Sequence, residues 1–294
     1  MTIENQRTNV SVACERLAVV ANDCELVVSH GNGPQIGLLA LEAVAYVDVP
    51  AYPLDVLGAE TEGMIGYLIE QELGNRLPQE RHVVTVLTMV EVNSDDPAFL
   101  RPSKPIGPLY DATEAETLAR QRGWSFRPDG EHQRRVVASP VPLRIIEEKA
   151  IRLLLESGCV VICAGGGGIP TAYDSSGDLI GVEAVIDKDH ASSLLARDLD
   201  ADVFVMATDT PFAYTGFNTS EQRAILEAHP AAILATYRDE FAGGSMLPKV
   251  EAACAFANAT GRTAVIGQLT DIEGLVSATA GTRISTEFDG ITTD

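Results

Sequence analysis

Short, continuously apolar runs alternate along the chain with longer stretches whose apolar positions recur every three to four residues. The runs at 25–29, 83–91 (VVTVLTMVE), 159–163 (CVVIC), 202–207 (DVFVMA) and 263–267 (TAVIG) predict strands. The periodic stretches at 35–47, 60–74, 145–157, 189–199, 220–228, 249–260 and 271–278 predict helices. Strands that are apolar throughout belong to a sheet covered on both faces, so the pattern predicts an α/β chain with a parallel sheet. Residues 3–21 read as an amphipathic helix with Val10, Ala13, Leu17 and Val20 on one face, and no strand precedes it. The alternation stops at 93–142, which holds seven of the fifteen prolines and the only tryptophan, Trp124. This segment predicts an inserted subdomain projecting from the sheet.

In parallel sheets ligands settle where strand ends lead into helix starts, so those turns carry the chemistry. The run Leu26-Val27-Val28 breaks into Ser29-His30-Gly31-Asn32-Gly33-Pro34 before a helical pattern begins. Glycines there let a ligand approach the backbone and leave N–H groups at the positive end of the next helix; an ordinary tight turn fits the same residues. In ICAGGGGIPTA, residues 162–172, Gly165 to Gly168 follow an apolar strand, and each loses much backbone freedom on folding. Pro170 and a polar loop come next rather than a helix, which excludes the dinucleotide fingerprint and favours a ligand cradle over a sterically forced turn. In GVEAVIDKDHASSLLA, residues 181–196, Lys188 lies between Asp187 and Asp189 at a helix start, where it can reach over an anion. Asp189 would orient lysines or cap that helix. In FAGGSMLPKVEAAC, residues 241–254, Gly243, Gly244 and Ser245 precede a helix with Lys249 in its first turn. Glycine loop, hydroxyl and lysine suit a phosphate, in an order that is not the Walker pattern. MATDTPFAYTG, residues 206–216, places Asp209 and Tyr214 after another buried strand, where a nucleotide base or ribose would rest.

Charge narrows the partners. The 294 residues carry 42 acidic and 21 basic side chains, a formal net charge of −21. Nucleic acid and anionic membrane surfaces both require a basic face, so neither is an expected partner. An anionic substrate must instead be held by a few locally placed cations. Only Lys104, Lys149, Lys188 and Lys249 are lysine, and all but Lys149 sit in Gly/Pro/Asp-rich turns, where a compact charge on a flexible stem is useful. No apolar run reaches the ~20 residues of a membrane span, and no signal segment opens the chain. Five cysteines in apolar or helical contexts suit reduced thiols and a cytoplasmic location. Cys159 and Cys163 lack a second pair at ligand spacing, so no protein-held metal site is expected. No Ser/His/Asp or Cys/His array is evident.

Taken together, SHGNGPQIG, KPIGP, GGGGIP, EAVIDKDHAS, GSMLPKVEAA and the closing AVIG…AGTRI resemble the carbamate kinases of the amino acid kinase superfamily, in the family's order from Asn5 to about Ile284. The resemblance implies one domain over residues 1–294: a three-layer αβα sandwich with a mainly parallel central sheet and a protruding subdomain at about 93–142. It also implies a homodimer and the reversible reaction carbamoyl phosphate + ADP ⇌ carbamate + ATP, with Mg2+ accompanying the nucleotide. By position, Lys188 and Lys249 would stabilise the transferring phosphoryl group and Asp189 would orient them. Gly31, Asn32, Gly33, Gly165, Gly166, Gly167 and Gly168 would line the carbamate side, with Arg135 of RRVV reaching toward the substrate. Asp209, Tyr214, Gly243, Ser245 and Met246 would surround the nucleotide. Phosphoryl transfer asks mainly for alignment and for positive charge around the equatorial oxygens, without a covalent intermediate. In the family a strand ending in Gly-Gly-Asn precedes the opening helix, and this sequence has no counterpart. Two expectations follow: an enzyme whose true start lies upstream of Met1, or a truncated non-catalytic relative that keeps nucleotide binding and dimerisation.

Overall fold

The opening periodic stretch forms helix α1 (Ile3–Asp23), whose first turn is capped by Thr2 Oγ1 accepting from the Asn5 N–H. The computed structural model describes residues 2–45, 48, 50–241 and 245–294. Its first half continues through β1 (Val27–Val28), α2 (Gly33–Ala45), α3 (Leu54–Gly74), β2 (Val83–Thr85), β3 (Met89–Val92), α4 (Pro97–Leu100), β4 (Lys104–Tyr110), α5 (Ala112–Arg122), β5 (Ser125–Asp129), β6 (His132–Val137), β7 (Pro142–Ile145), α6 (Glu148–Glu156) and β8 (Val160–Ile162). The second half contains β9 (Ile169–Tyr173), β10 (Leu179–Gly181), α7 (Lys188–Asp198), β11 (Val203–Thr208), β12 (Ala213–Thr215), β13 (Arg223–Ala228), α8 (Pro230–Phe241), α9 (Met246–Thr260), β14 (Thr263–Gln268), α10 (Ile272–Val276), β15 (Thr282–Ile284) and β16 (Ile291–Thr293).

Alternation along β8 shows the layering. Val160 and Ile162 pack with Cys14 and Ala18 of α1 and Ile65 and Ile69 of α3. Val161, between them, faces the other way, onto Ile151 of α6 and Leu194 of α7. Successive strand side chains point to opposite faces, so an apolar run is what a sheet between two helical layers requires. Strand β8 lies between β1 and β2, parallel to both. Strands β11 and β14 pair in parallel from Val203↔Thr263 to Thr208↔Gln268, beneath α8 and α9, whose Ile233 and Phe256 are fully buried.

The sheets include these parallel strands and are mixed overall. Strand β3 runs parallel to β9 but antiparallel to β7, and β14 runs antiparallel to β15. The run expected as one strand over 83–91 divides, because β2 joins the β8 sheet and β3 joins the β9 sheet. The helix expected at 220–228 is replaced by strand β13. Its Ala, Leu and Glu favour a helix locally, but β12, β15 and β16 all pair with it and bury Ala224, Ile225 and Ala228. The helix of that region, α8, begins just after it. Within 93–142, β4, β6 and β5 form an antiparallel sheet of their own, with Tyr110 edge-on to Phe126 at 5.4 Å. Strand β4 comes so close to α2 that a Cβ on Gly37 would lie 2.7 Å from Gly107 Cα.

Candidate active site

Helix α7 begins where it does because Asp187 caps it: Oδ1 accepts from the N–H groups of Asp189 (2.9 Å) and His190 (3.4 Å). That start sets Lys188 and Asp189 in the first turn. Asp189 is only 8 % exposed and accepts two ammonium groups, Lys188 Nζ on Oδ1 and Lys249 Nζ on Oδ2, each at 3.0 Å. Lys249 arrives from the first turn of α9, so one carboxylate joins two helix N-termini. Burial opposes both ammonium charges, and Asp189 supports them. The balance leaves Lys188 above the usual lysine range. Lys249 falls below it, because its desolvation and the neighbouring Lys188 charge outweigh Asp189. The difference follows the neighbouring charges, since Asp187 also supports Lys188 whereas Lys188 itself opposes the charge on Lys249. Two cations at two helix starts, balanced by one anion, are an arrangement that can seat a multiply charged anion.

The first glycine turn stands beside this seat. A Cβ on Gly31 would lie 3.3 Å from Lys188 Cε, so the bare backbone lets the lysine stem pass. Gly31 and Gly33 are exposed, whereas Asn32 is 5 % exposed. The four glycines at 165–168 are all buried, and what crowds them is protein. A Cβ on Gly165 would run into the His30 ring and one on Gly166 into the Asn32 amide, while Gly167 and Gly168 abut Ile186 O and Thr88 O. Gly166, at φ +67°, donates its N–H to His30 O at 2.7 Å, which locks the two turns together. Thr61 and Glu62 of α3, singled out by nothing in the sequence, reach both turns. Asn32 Nδ2 donates to Thr61 Oγ1 at 2.9 Å and the Gly165 N–H to Glu62 Oε1 at 3.0 Å. Burial pushes the Glu62 carboxyl up to about 7 and the His30 imidazole down to about 4.

Other expected residues lie further out. Arg135 on β6 is stacked over Trp124, with its guanidinium carbon 3.8 Å from the ring centroid, and its Nη2 is 3.6 Å from Glu183 Oε1. It is thus engaged between the inserted sheet and the body. Lys104, the remaining turn lysine, reaches from β4 to Asp187 Oδ2 at 2.5 Å and ties the same inserted sheet to the α7 cap. Burial raises the Asp187 carboxyl, but Lys104 and the capped N–H groups more than offset this and hold it low. Asp209 is exposed after β11, and Tyr214 on β12 lies between the rings of Phe212 and Phe217 at 6.2 and 6.1 Å. Neither bonds to the lysine pair among the described residues. Ser245 is exposed at the head of α9, and Met246 packs against the core beneath that helix, one turn ahead of Lys249. Gly243 lies outside the described residues.

The model of the Amino acid kinase family matches residues 2–268. A carbamate kinase of Rhizobium meliloti (strain 1021) is 56% identical over 294 residues, covering 99% of this chain and 90% of the relative. Another, from Haemophilus influenzae, is 56% identical over 291 residues, covering 99% and 93%. A solved carbamate kinase from Giardia lamblia bound to AMP-PNP superposes with a TM-score of 0.87 at 37% identity, covering 97% of this chain and 92% of that one. The similarity thus runs along almost the whole chain, in sequence and in fold. The chain belongs to the amino acid kinase family, among its carbamate kinases.

Proposed function

We propose that this chain is a carbamate kinase, a phosphotransferase that moves a phosphoryl group reversibly between carbamoyl phosphate with ADP and carbamate with ATP. The observation that carries the reading is the Lys188–Asp189–Lys249 arrangement, with both N–O distances at 3.0 Å and the Gly31 turn beside it. The transferring group spreads negative charge over three equatorial oxygens, and two fixed ammonium groups meet that charge without rearranging during the reaction. Asp189 holds both in place and keeps them protonated. Gly31, Asn32, Gly33 and the turn at Gly165–Gly168 form the carbamate side, with Arg135 contributing from the inserted sheet. Asp209, Tyr214, Gly243, Ser245 and Met246 take the nucleotide. Mg2+ enters with the nucleotide, held mainly by its phosphates and by water. Among the described residues no helix is long and apolar enough to cross a membrane, and a cytoplasmic homodimer is the assembly we propose. Leu38, Val56 and Tyr67, exposed on α2 and α3, suit contact with a second copy.

The non-catalytic alternative is not favoured, since the relatives matched along nearly the whole chain are kinases and the lysine pair is intact. ATP formation from carbamoyl phosphate and ADP tests the reading directly. The 294-residue chain is expected to turn over, and Lys188→Met and Lys249→Met each to lose roughly 10²–10³-fold in kcat, as for removal of one preorganised charge donor. Turnover unaffected by either replacement refutes it.

A further inference from the structure

Helix α3 places two polar residues, Thr61 (0 % exposed) and Glu62 (1 %), side by side in its buried face. Their surroundings explain them only in part. Among the described residues Glu62 has no cationic partner within ion-pair distance, so its carboxylate is buried without the compensation such groups normally have. What it does have are main-chain donors: Gly165 N–H on Oε1 at 3.0 Å and Thr88 N–H on Oε2 at 3.2 Å. Thr88 extends the grip, because its Oγ1 accepts from the Ala164 N–H at 2.9 Å. Thr61 Oγ1 donates to Gly58 O at 2.8 Å and accepts from Asn32 Nδ2 at 2.9 Å. Consecutive residues of one rigid helix therefore hold both turns of the carbamate side, one through Asn32 and the other through Gly165. A leucine at either position would bury apolar area at lower cost but would leave these amides unpaired.

We infer that Thr61 and Glu62 are positioning residues that fix the spacing of the two glycine turns relative to Lys188 without touching substrate. The inference rests on the carbamate kinase reading and deepens it. Displacement of a turn by an ångström is felt at the reacting group, whereas a nucleotide held by α9 and the β11–β12 segment is left in place.

The test compares Thr61→Val, Thr61→Ser and Glu62→Gln in the full chain, assayed for kcat and for KM toward carbamoyl phosphate and ADP separately. Valine keeps the shape of threonine and removes the hydroxyl; serine keeps the hydroxyl. Glutamine keeps the shape of Glu62 but turns an amide donor toward a main-chain N–H. For Thr61→Val and Glu62→Gln we expect kcat/KM for carbamoyl phosphate to fall roughly 10- to 100-fold, with KM for ADP within about threefold of wild type. Thr61→Ser is expected to restore most of the loss. Folded variants with unchanged kinetics overturn the inference, as do equal losses toward both substrates or failure of both isosteric variants to fold, which mark a structural strut instead. Absence of turnover in wild type overturns the kinase reading and this inference with it; wild-type turnover with unaffected variants overturns the inference alone.

Discussion

Asp189 carries the proposed site, because it accepts from two ammonium groups that would otherwise repel each other. Asp189→Asn is expected to lower both lysine pKa values, so the alkaline limb of kcat/KM moves to lower pH; a pH–rate profile checks this. His30 and Glu62 offer a second titration, visible in stability. Burial raises Glu62 from 4.5 to about 7, so the native state holds that proton more firmly and stability falls as pH rises through this window. Burial lowers His30 from 6.5 to about 4, so stability rises with pH between those values. The two slopes oppose each other where the windows overlap, at up to ~1.4 kcal/mol per pH unit each. Relative to wild type, Glu62→Gln is expected to gain stability with pH between about 4.5 and 7, and His30→Asn to lose it between about 4 and 6.5. Denaturant midpoints at pH 5, 6 and 7 measure both, and parallel pH dependences in all three proteins would contradict the assignment.

Among the elements, α7 shows how a local signal becomes a site. The sequence offered Asp189 as the cap or as a partner of lysines; the cap is Asp187, one residue before Lys188, and Asp189 is the lysine partner. Asp187→Ala is expected to cost ~0.5–2 kcal/mol through the lost cap, and to release Lys104 from the inserted sheet. A lowered melting temperature, with greater protease sensitivity over 93–142, would report both. The apolar strands and most helices were legible for the same reason: period and turn chemistry are local properties. Strand β13 was not, because its residues favour a helix alone and become a strand only through three partners distant in sequence. The division of 83–91 escaped for a related reason. An apolar run says that a segment is buried on both faces, not which sheet it joins.

For the molecule as a whole, the net charge of −21 is spread over a surface whose cations are few. Self-repulsion is screened by salt, so the melting temperature is expected to rise between ~10 and ~200 mM NaCl as the Debye length shortens. A fall over that range would mean that the surface ion pairs outweigh the repulsion. The lysines and the glycine turns of the proposed site were legible as positions, since each stands at a strand end or a helix start. The bonds that unite them were not, because Thr61 and Glu62 sit inside an ordinary helical pattern. Those bonds also span long stretches of sequence: Gly165 meets Glu62 across 103 residues, Ala164 meets Ser29 across 135, and Lys249 meets Asp189 across 60. Contacts so remote in sequence close late in folding. During synthesis, a nascent chain exposed as far as α7 has its glycine turns and first cation but lacks the second, and the proposed phosphate seat is complete only as α9 leaves the ribosome.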